Sequence, residues 1–151
     1  MNSDMYLGQR RQSLILFGGS LSGKTTWARS LGKHVWFDRL VSGKVARAEM
    51  HDADYAVFDD VDIKNFHGWK GWLGCQAYVC VKQLFRDPFY EKWGKVSIWC
   101  TNSDPRQKIY HSIAKDDGVY NQSDVDWLND NCHFIECFRA TPLVTFHANT
   151  E

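Results

Sequence analysis

The sequence predicts an α/β protein with a central, mostly parallel five-stranded sheet flanked by helices. Three observations carry this. Short runs rich in apolar, β-branched and aromatic residues alternate with helical stretches, as strands joined by crossover helices do. The first run is continuously apolar, which suits a strand buried on both faces. The runs also end in glycines, in paired aspartates or in an asparagine, which puts polar groups at the carboxyl ends of strands, where such sheets hold ligands.

Ser13 to Phe17 is the first strand, and Thr25 to Leu31 reads as the helix after it. His34 to Phe37 is the second strand, and Lys44 to Met50 fits a helix. Tyr55 to Phe58 is the third, ending on two aspartates. From Asn65 to Cys75 the spacing of Phe66, Trp69, Trp72 and Leu73 puts apolar side chains on one helical face. Cys75 to Lys95 mixes β-branched, aromatic and basic residues around Asp87 and Pro88, a turn signal for a hairpin, alone or after a short helix. Val96 to Thr101 is the fourth strand, stopped by the turn formers Asn102 to Pro105. Ser123 fits the N-cap of a helix through Asn129. Cys132 to Phe138 is the fifth strand, and Val144 to Phe146 a candidate sixth. These divisions predict a core over 13–139, a tail or remnant of a linker or oligomerisation region over 1–12, and a C-terminal strand or tail over 140–151.

A chain of 151 residues suits one domain with a substantial core. Lys plus Arg and Asp plus Glu are 18 each, so there is no overall basic footprint and any DNA contact must be local. The start of the chain is polar and basic, without the apolar segment of a secretory signal, and with five cysteines this predicts reduced thiols. No apolar run approaches the ~20 residues of a membrane span. The expectation is a soluble, intracellular protein with no membrane partner.

Gly18, Gly19, Ser20, Leu21, Ser22, Gly23, Lys24, Thr25 matches G-x-x-x-x-G-K-[ST] between a predicted strand and a predicted helix, the context that a P-loop requires. Glycines let the loop curl so that backbone N–H groups converge on phosphate oxygens, and the helix start reinforces the field. Lys24 is placed to reach the β- and γ-phosphates, Thr25 to offer its hydroxyl to Mg²⁺, and Thr26 to continue the nucleotide-binding segment. ATP and Mg²⁺ are therefore the expected cofactors.

Tyr55 to Asp60 has the Walker B shape, an apolar strand delivering two carboxylates. Asp59 would hold Mg²⁺, with Thr25, and Asp60 would orient or deprotonate the attacking water. Asn102, where the fourth strand ends, could contact both the γ-phosphate and that water. A solvated turn is the plainer reading of the two aspartates alone, and for Asn102 the turn-forming and functional readings are even on spacing; the order of the motifs after a complete P-loop favours hydrolysis.

Taken together, these motifs resemble the superfamily 3 helicase domain of replication-initiator (Rep) proteins of circular single-stranded DNA viruses, the geminiviruses and genomoviruses. The resemblance spans roughly Ser13 to Phe138. It rests on Gly23 to Gly32, Val57 to Val61, Trp72 to Gln76, and the run Trp93 to Trp99 leading to Asn102, Asp104 and Pro105. It implies an AAA+-like core, assembled as a ring, expected to be a hexamer, that moves 3′ to 5′ on single-stranded DNA, unwinds duplex in rolling-circle replication and works in the host cell nucleus. Asn102 would then be its sensor. Gly19 and Leu21 stand where these proteins often have proline and arginine, and the stretch before Trp93 departs from the usual lysine pattern, which bears most on the DNA contacts. The family's nicking domain has no counterpart before Gly18, so nicking is not expected.

Within that frame, Lys82, Arg86, Lys92 and Lys95 are the candidate DNA-binding cations, interleaved with Phe85, Tyr90 and Trp93 as stacking faces. The alternative is a solvated basic surface over an aromatic core. Arg106, just past the sensor turn, is the candidate arginine acting on a neighbouring subunit's nucleotide, and its alternative is an ordinary surface arginine. Cys75 with Cys80, and Cys132 with Cys137, are C-x₄-C pairs, but positions five apart on a strand face opposite ways, which argues for buried thiols over zinc. Two other functions share the P-loop: a phosphotransferase such as a nucleoside kinase, which needs an arginine-rich lid not evident here, and a nucleotide-gated assembly module on DNA.

Overall fold

The structure, a computed structural model, describes residues 11–83, 85–139 and 141. Of the expected terminal segments, only residues 11, 12 and 141 fall among these, and the candidate strand Val144 to Phe146 lies outside them. Seven strands and five α-helices are described. In chain order they are β1 (Ser13–Gly18), α1 (Lys24–Arg29), β2 (His34–Asp38), α2 (Gly43–Glu49), β3 (Tyr55–Asp59), α3 (Trp69–Leu73), β4 (Tyr78–Gln83), β5 (Arg86–Lys92), β6 (Ser97–Thr101), α4 (Pro105–Lys115), α5 (Gln122–Asn131) and β7 (Cys132–Cys137).

Five strands form one parallel sheet in the order β2-β3-β6-β1-β7, as the sequence predicts. Adjacent residues on its inner strands are buried toward opposite layers. Ile15, Phe58 and Trp99 join a large cluster with Phe66, Trp72, Ile109 and Leu128, whereas their neighbours Leu16, Val57 and Ile98 pack with Ala28 of α1. Burial on both faces is why these runs are apolar throughout. In the large cluster Phe58 lies between Phe37, with centroids 5.0 Å apart, and Phe66, at 4.2 Å, and Trp99 donates its indole N–H to the Val61 carbonyl at 2.9 Å. That bond fixes the chain just after the two aspartates.

Three local expectations are corrected. The helix expected over Asn65 to Cys75 is only α3, because a 3₁₀ turn (Ile63–Asn65) precedes it and Gly68, at φ 68°, interrupts the path. The hairpin exists as β4 and β5, but its turn lies before Arg86; Asp87 and Pro88 are within β5, where a strand free on one side tolerates proline. The N-cap of α5 is Asn121, not Ser123: Asn121 and Asp124 form a reciprocal capping box, and Ser123 lies in the first turn.

The sequence reading also left α4 out. Asp104 both ends the turn and starts the helix, its carboxylate accepting from the Arg106 N–H at 2.9 Å, with Pro105 at the first helical position. The second cysteine pair is split between layers, Cys132 in the large cluster and Cys137 in the opposite one, whereas Cys75 and Cys80 are only partly buried and not buried as expected; among the described residues no group of three or more His, Cys, Asp or Glu is placed to hold a metal.

Candidate active site

The parallel register brings the motifs to one edge. Phe17 pairs with Thr101, Gly18 with Cys137, and Asp59 with Cys100, so the ends of β1, β3 and β6 stop side by side. The loop after β1, the aspartates after β3 and the asparagine after β6 therefore meet without any long-range adjustment.

Gly18 shows why the loop starts as it does. Its φ is 141°, and a Cβ there would lie 2.0 Å from the Cys137 carbonyl oxygen, so any side chain would strike the neighbouring strand. Gly23 turns the chain into α1 at φ 80°, and no side chain caps that helix. The N–H groups of its first turn therefore have no side-chain acceptor and could receive an anion.

Lys24 is the buried charge of the site. Only 7% exposed, it donates to the carbonyls of Gly18 and Gly19, both at 2.9 Å, and its ammonium lies 3.1 Å from the Ser22 hydroxyl oxygen. Thr25, next to it, donates its hydroxyl to Asp59 Oδ1 at 2.9 Å. One bond thus joins the loop to the acidic strand end. Beneath them Cys100 is held neutral: burial first, then the charge of Asp59, pushes its thiol up to about 12.

Asp60 leaves the sheet in the left-handed region, at φ 55°, while its N–H still donates to the Cys100 carbonyl at 2.8 Å. Ser20 to Thr26, Asp59, Asp60 and Asn102 all line one cleft of about 270 Å³. Gly18 and Gly19 stand behind it, holding Lys24. A buried ammonium, a hydroxyl–carboxylate pair, a second carboxylate and an amide around such a cleft can bind a polyphosphate with a divalent cation and orient a water.

The other expected residues lie elsewhere. Arg106 turns away from the cleft: its guanidinium grips the Asp104 carboxylate, donates to Asn129 Oδ1 at 2.8 Å and lies 3.7 Å from the Phe134 ring centroid. The hydrogen bond to Asp104 raises its pKa further. Lys95 is not on the hairpin. It donates to the carbonyls of Met50 at 3.0 Å and Ala53, at the end of α2, so it is a capping cation and no longer a free DNA ligand. Lys82, Arg86 and Lys92 are on the hairpin strands, with Phe85 97% and Tyr90 74% exposed beside them.

Sequence reasoning missed Lys108 and Asp62, an ion pair between α4 and the loop after β3. Lys108 went unnoticed because α4 did, and Asp62 stood in the shadow of the two aspartates before it.

Comparison with known proteins fits this arrangement. Over 125 residues the chain is 35% identical to the replication-associated protein of Bean yellow dwarf virus, a match covering 83% of the chain and 34% of that protein. The chain is a homologue of geminivirus replication-associated proteins. The counterpart from Tobacco yellow dwarf virus (strain Australia) is 35% identical over 111 residues, covering 68% of the chain and 32% of that protein. That from Maize streak virus genotype D (isolate Raw) is 37% identical over 91 residues, or 60% and 23%. The chain thus spans about a quarter to a third of the length of the viral relatives it matches. No protein-family model matches it. Among the described residues no helix is long and apolar enough to cross a membrane.

Proposed function

We propose that this chain binds and hydrolyses Mg·ATP and that, within a viral replication-associated protein, hydrolysis drives movement along DNA as a superfamily 3 helicase. The observation that carries the hydrolytic reading is the Thr25–Asp59 hydrogen bond beside Lys24, since it sets a hydroxyl and a carboxylate from two separate motifs at one point of the loop. Oxygen donors of this kind, completed by phosphate and water, fit Mg²⁺, which seldom has a full protein cage. When bound, Mg²⁺ would neutralise charge on the β- and γ-phosphates.

Each residue then has a task. The loop N–H groups and Lys24 hold the phosphates, Asp60 accepts a proton from the attacking water, and Asn102 fixes that water against the γ-phosphate. Lys82, Arg86 and Lys92 contact the DNA backbone, with Phe85 and Tyr90 offering faces on which bases stack. A ring, proposed here to be hexameric, would add an arginine from the neighbouring subunit. For Arg106 to be that arginine it must first release Asp104 and Asn129. The nucleus of an infected cell is the setting we propose for this role, as the family resemblance implies.

The test is ATP turnover by the intact chain with and without single-stranded DNA. Stimulation by DNA and loss of turnover in Lys24→Ala support the motor. Turnover that depends on a nucleoside acceptor, or assembly on DNA without turnover, contradicts it.

A further inference from the structure

Beyond Asp60 and Asn102, on the side away from the P-loop, a second cleft of about 280 Å³ adjoins the first and shares Asp60, Thr101 and Asn102 with it. Its basic wall is Lys108. Lys108 and Arg106 are two residues apart on α4 and so do not share a face. Arg106 points to α5 and β7, and Lys108 to the site.

The ammonium of Lys108 pairs with Asp62 Oδ2, while Oδ1 of the same carboxylate accepts from the Lys64 N–H at 3.1 Å. The carboxylate is therefore fixed and the lysine is held against it. The Lys108 side chain is 50% exposed and that of Asp62 26%. Ion pairs this open contribute little to stability, so stability alone is a weak reason for this one. What the pair does accomplish is to keep a cation beside the residues assigned to the water and the γ-phosphate. Charge balance gives the cation a use: three carboxylates, Asp59, Asp60 and Asp62, surround the two clefts, and the other lysine lining them, Lys24, lies on the loop side.

We propose that Lys108 is a second phosphate-facing cation of this site, held in readiness by Asp62 and moving onto the γ-phosphoryl group during hydrolysis. The inference rests on the proposed ATP-hydrolysing reading. In the step it serves, the water oxygen bonds to the γ-phosphorus and the bond to the β–γ bridging oxygen breaks, its electron pair leaving on ADP. The water proton passes to Asp60 and then to solvent. Lys24 faces the leaving side, and Lys108 offsets negative charge on the attacking side. Asp62 is a positioning residue.

Binding of Mg·ADP, alone and with aluminium fluoride as a mimic of the phosphoryl group in transfer, tests this beside ATP turnover in the wild type, Lys108→Met and Asp62→Asn. In Lys108→Met, which keeps most of the aliphatic stem, kcat and the affinity for the aluminium fluoride complex fall about 100-fold, while affinity for Mg·ADP stays within about threefold. Asp62→Asn lowers kcat and the affinity for the complex by about tenfold, because α4 still carries the lysine to the cleft but its partner no longer holds it there. Unchanged affinity for the complex in Lys108→Met, an equal loss for Mg·ADP alone, or wild-type kcat in Asp62→Asn overturns the role and leaves the ATPase reading intact. A wild type that turns over ATP no faster than Lys24→Ala removes that reading, and this inference with it.

Discussion

At the scale of single residues, the site depends on a few atoms that admit no substitute. Gly18→Ala puts a methyl group on the Cys137 carbonyl at a backbone angle hostile to side chains, and is expected to cost roughly 2–4 kcal/mol, read as a lower urea midpoint. Thr25→Val keeps the shape of the side chain but removes the hydroxyl that meets Asp59. Its expected effect is loss of Mg²⁺-dependent turnover with the fold intact, and full activity in this variant would contradict the metal assignment. Cys100 gives a chemical check. Buried, with its thiol pushed up to about 12, it should resist alkylation at pH 8 in the native protein and react only after unfolding.

Among the secondary-structure elements, the two helices after β6 owe their starts to acidic and amide caps. Asp104→Ala removes both the N-cap of α4 and the anchor of Arg106, with an expected cost of about 1–2 kcal/mol in chemical denaturation. The capping box of α5 adds a pH dependence. Burial raises the pKa of Asp124, but hydrogen bonds from Lys70 and the Asn121 N–H outweigh it, and the net shift is downward from 3.8. The folded state therefore binds fewer protons than the unfolded chain. Its contribution is fully present above the unfolded pKa and is lost as pH falls through the lower, folded one. Thermal melts from pH 6 to pH 2 should show a shallower acid decline for Asp124→Asn than for the wild type. The same elements show what the sequence made legible. Strands buried on both faces, such as β1 and β3, announce themselves because their central residues, Leu14 to Phe17 and Ala56 to Phe58, are apolar without alternation. α4 did not, because Asn102 to Pro105 reads as a stop, and only Asp104 accepting from the Arg106 N–H shows that it also begins a helix. Lys95 looked like a hairpin cation because sequence proximity to β5 says nothing of the carbonyls at the end of α2 that it caps. Asp59, Asp60 and Asn102 could be read because each stands where a strand ends, and Lys24 and Thr25 because they complete the glycine-rich loop between β1 and α1; the parallel register does the rest.

For the molecule as a whole, the candidate site lies at one edge of the main sheet, and the hairpin is a second, two-stranded sheet whose Val79 and Val81 pack into the core while Phe85 and Tyr90 stay exposed. If hydrolysis and DNA contact are coupled, charge removal on the hairpin should act on DNA and not on the nucleotide. Lys82→Ala with Arg86→Ala is expected to weaken single-stranded DNA binding, flatten its salt dependence and leave nucleotide affinity unchanged. Fluorescence anisotropy at several salt concentrations reads the first two effects, and an unaltered salt slope would move the DNA contact off the hairpin. The central claim is that the cleft between the P-loop and Asp59, Asp60 and Asn102 hydrolyses Mg·ATP, and steady-state phosphate release by the wild type and by Lys24→Ala tests it most directly. The account predicts Mg²⁺-dependent release by the wild type and its near-complete loss in Lys24→Ala; equal release by the two proteins would contradict it.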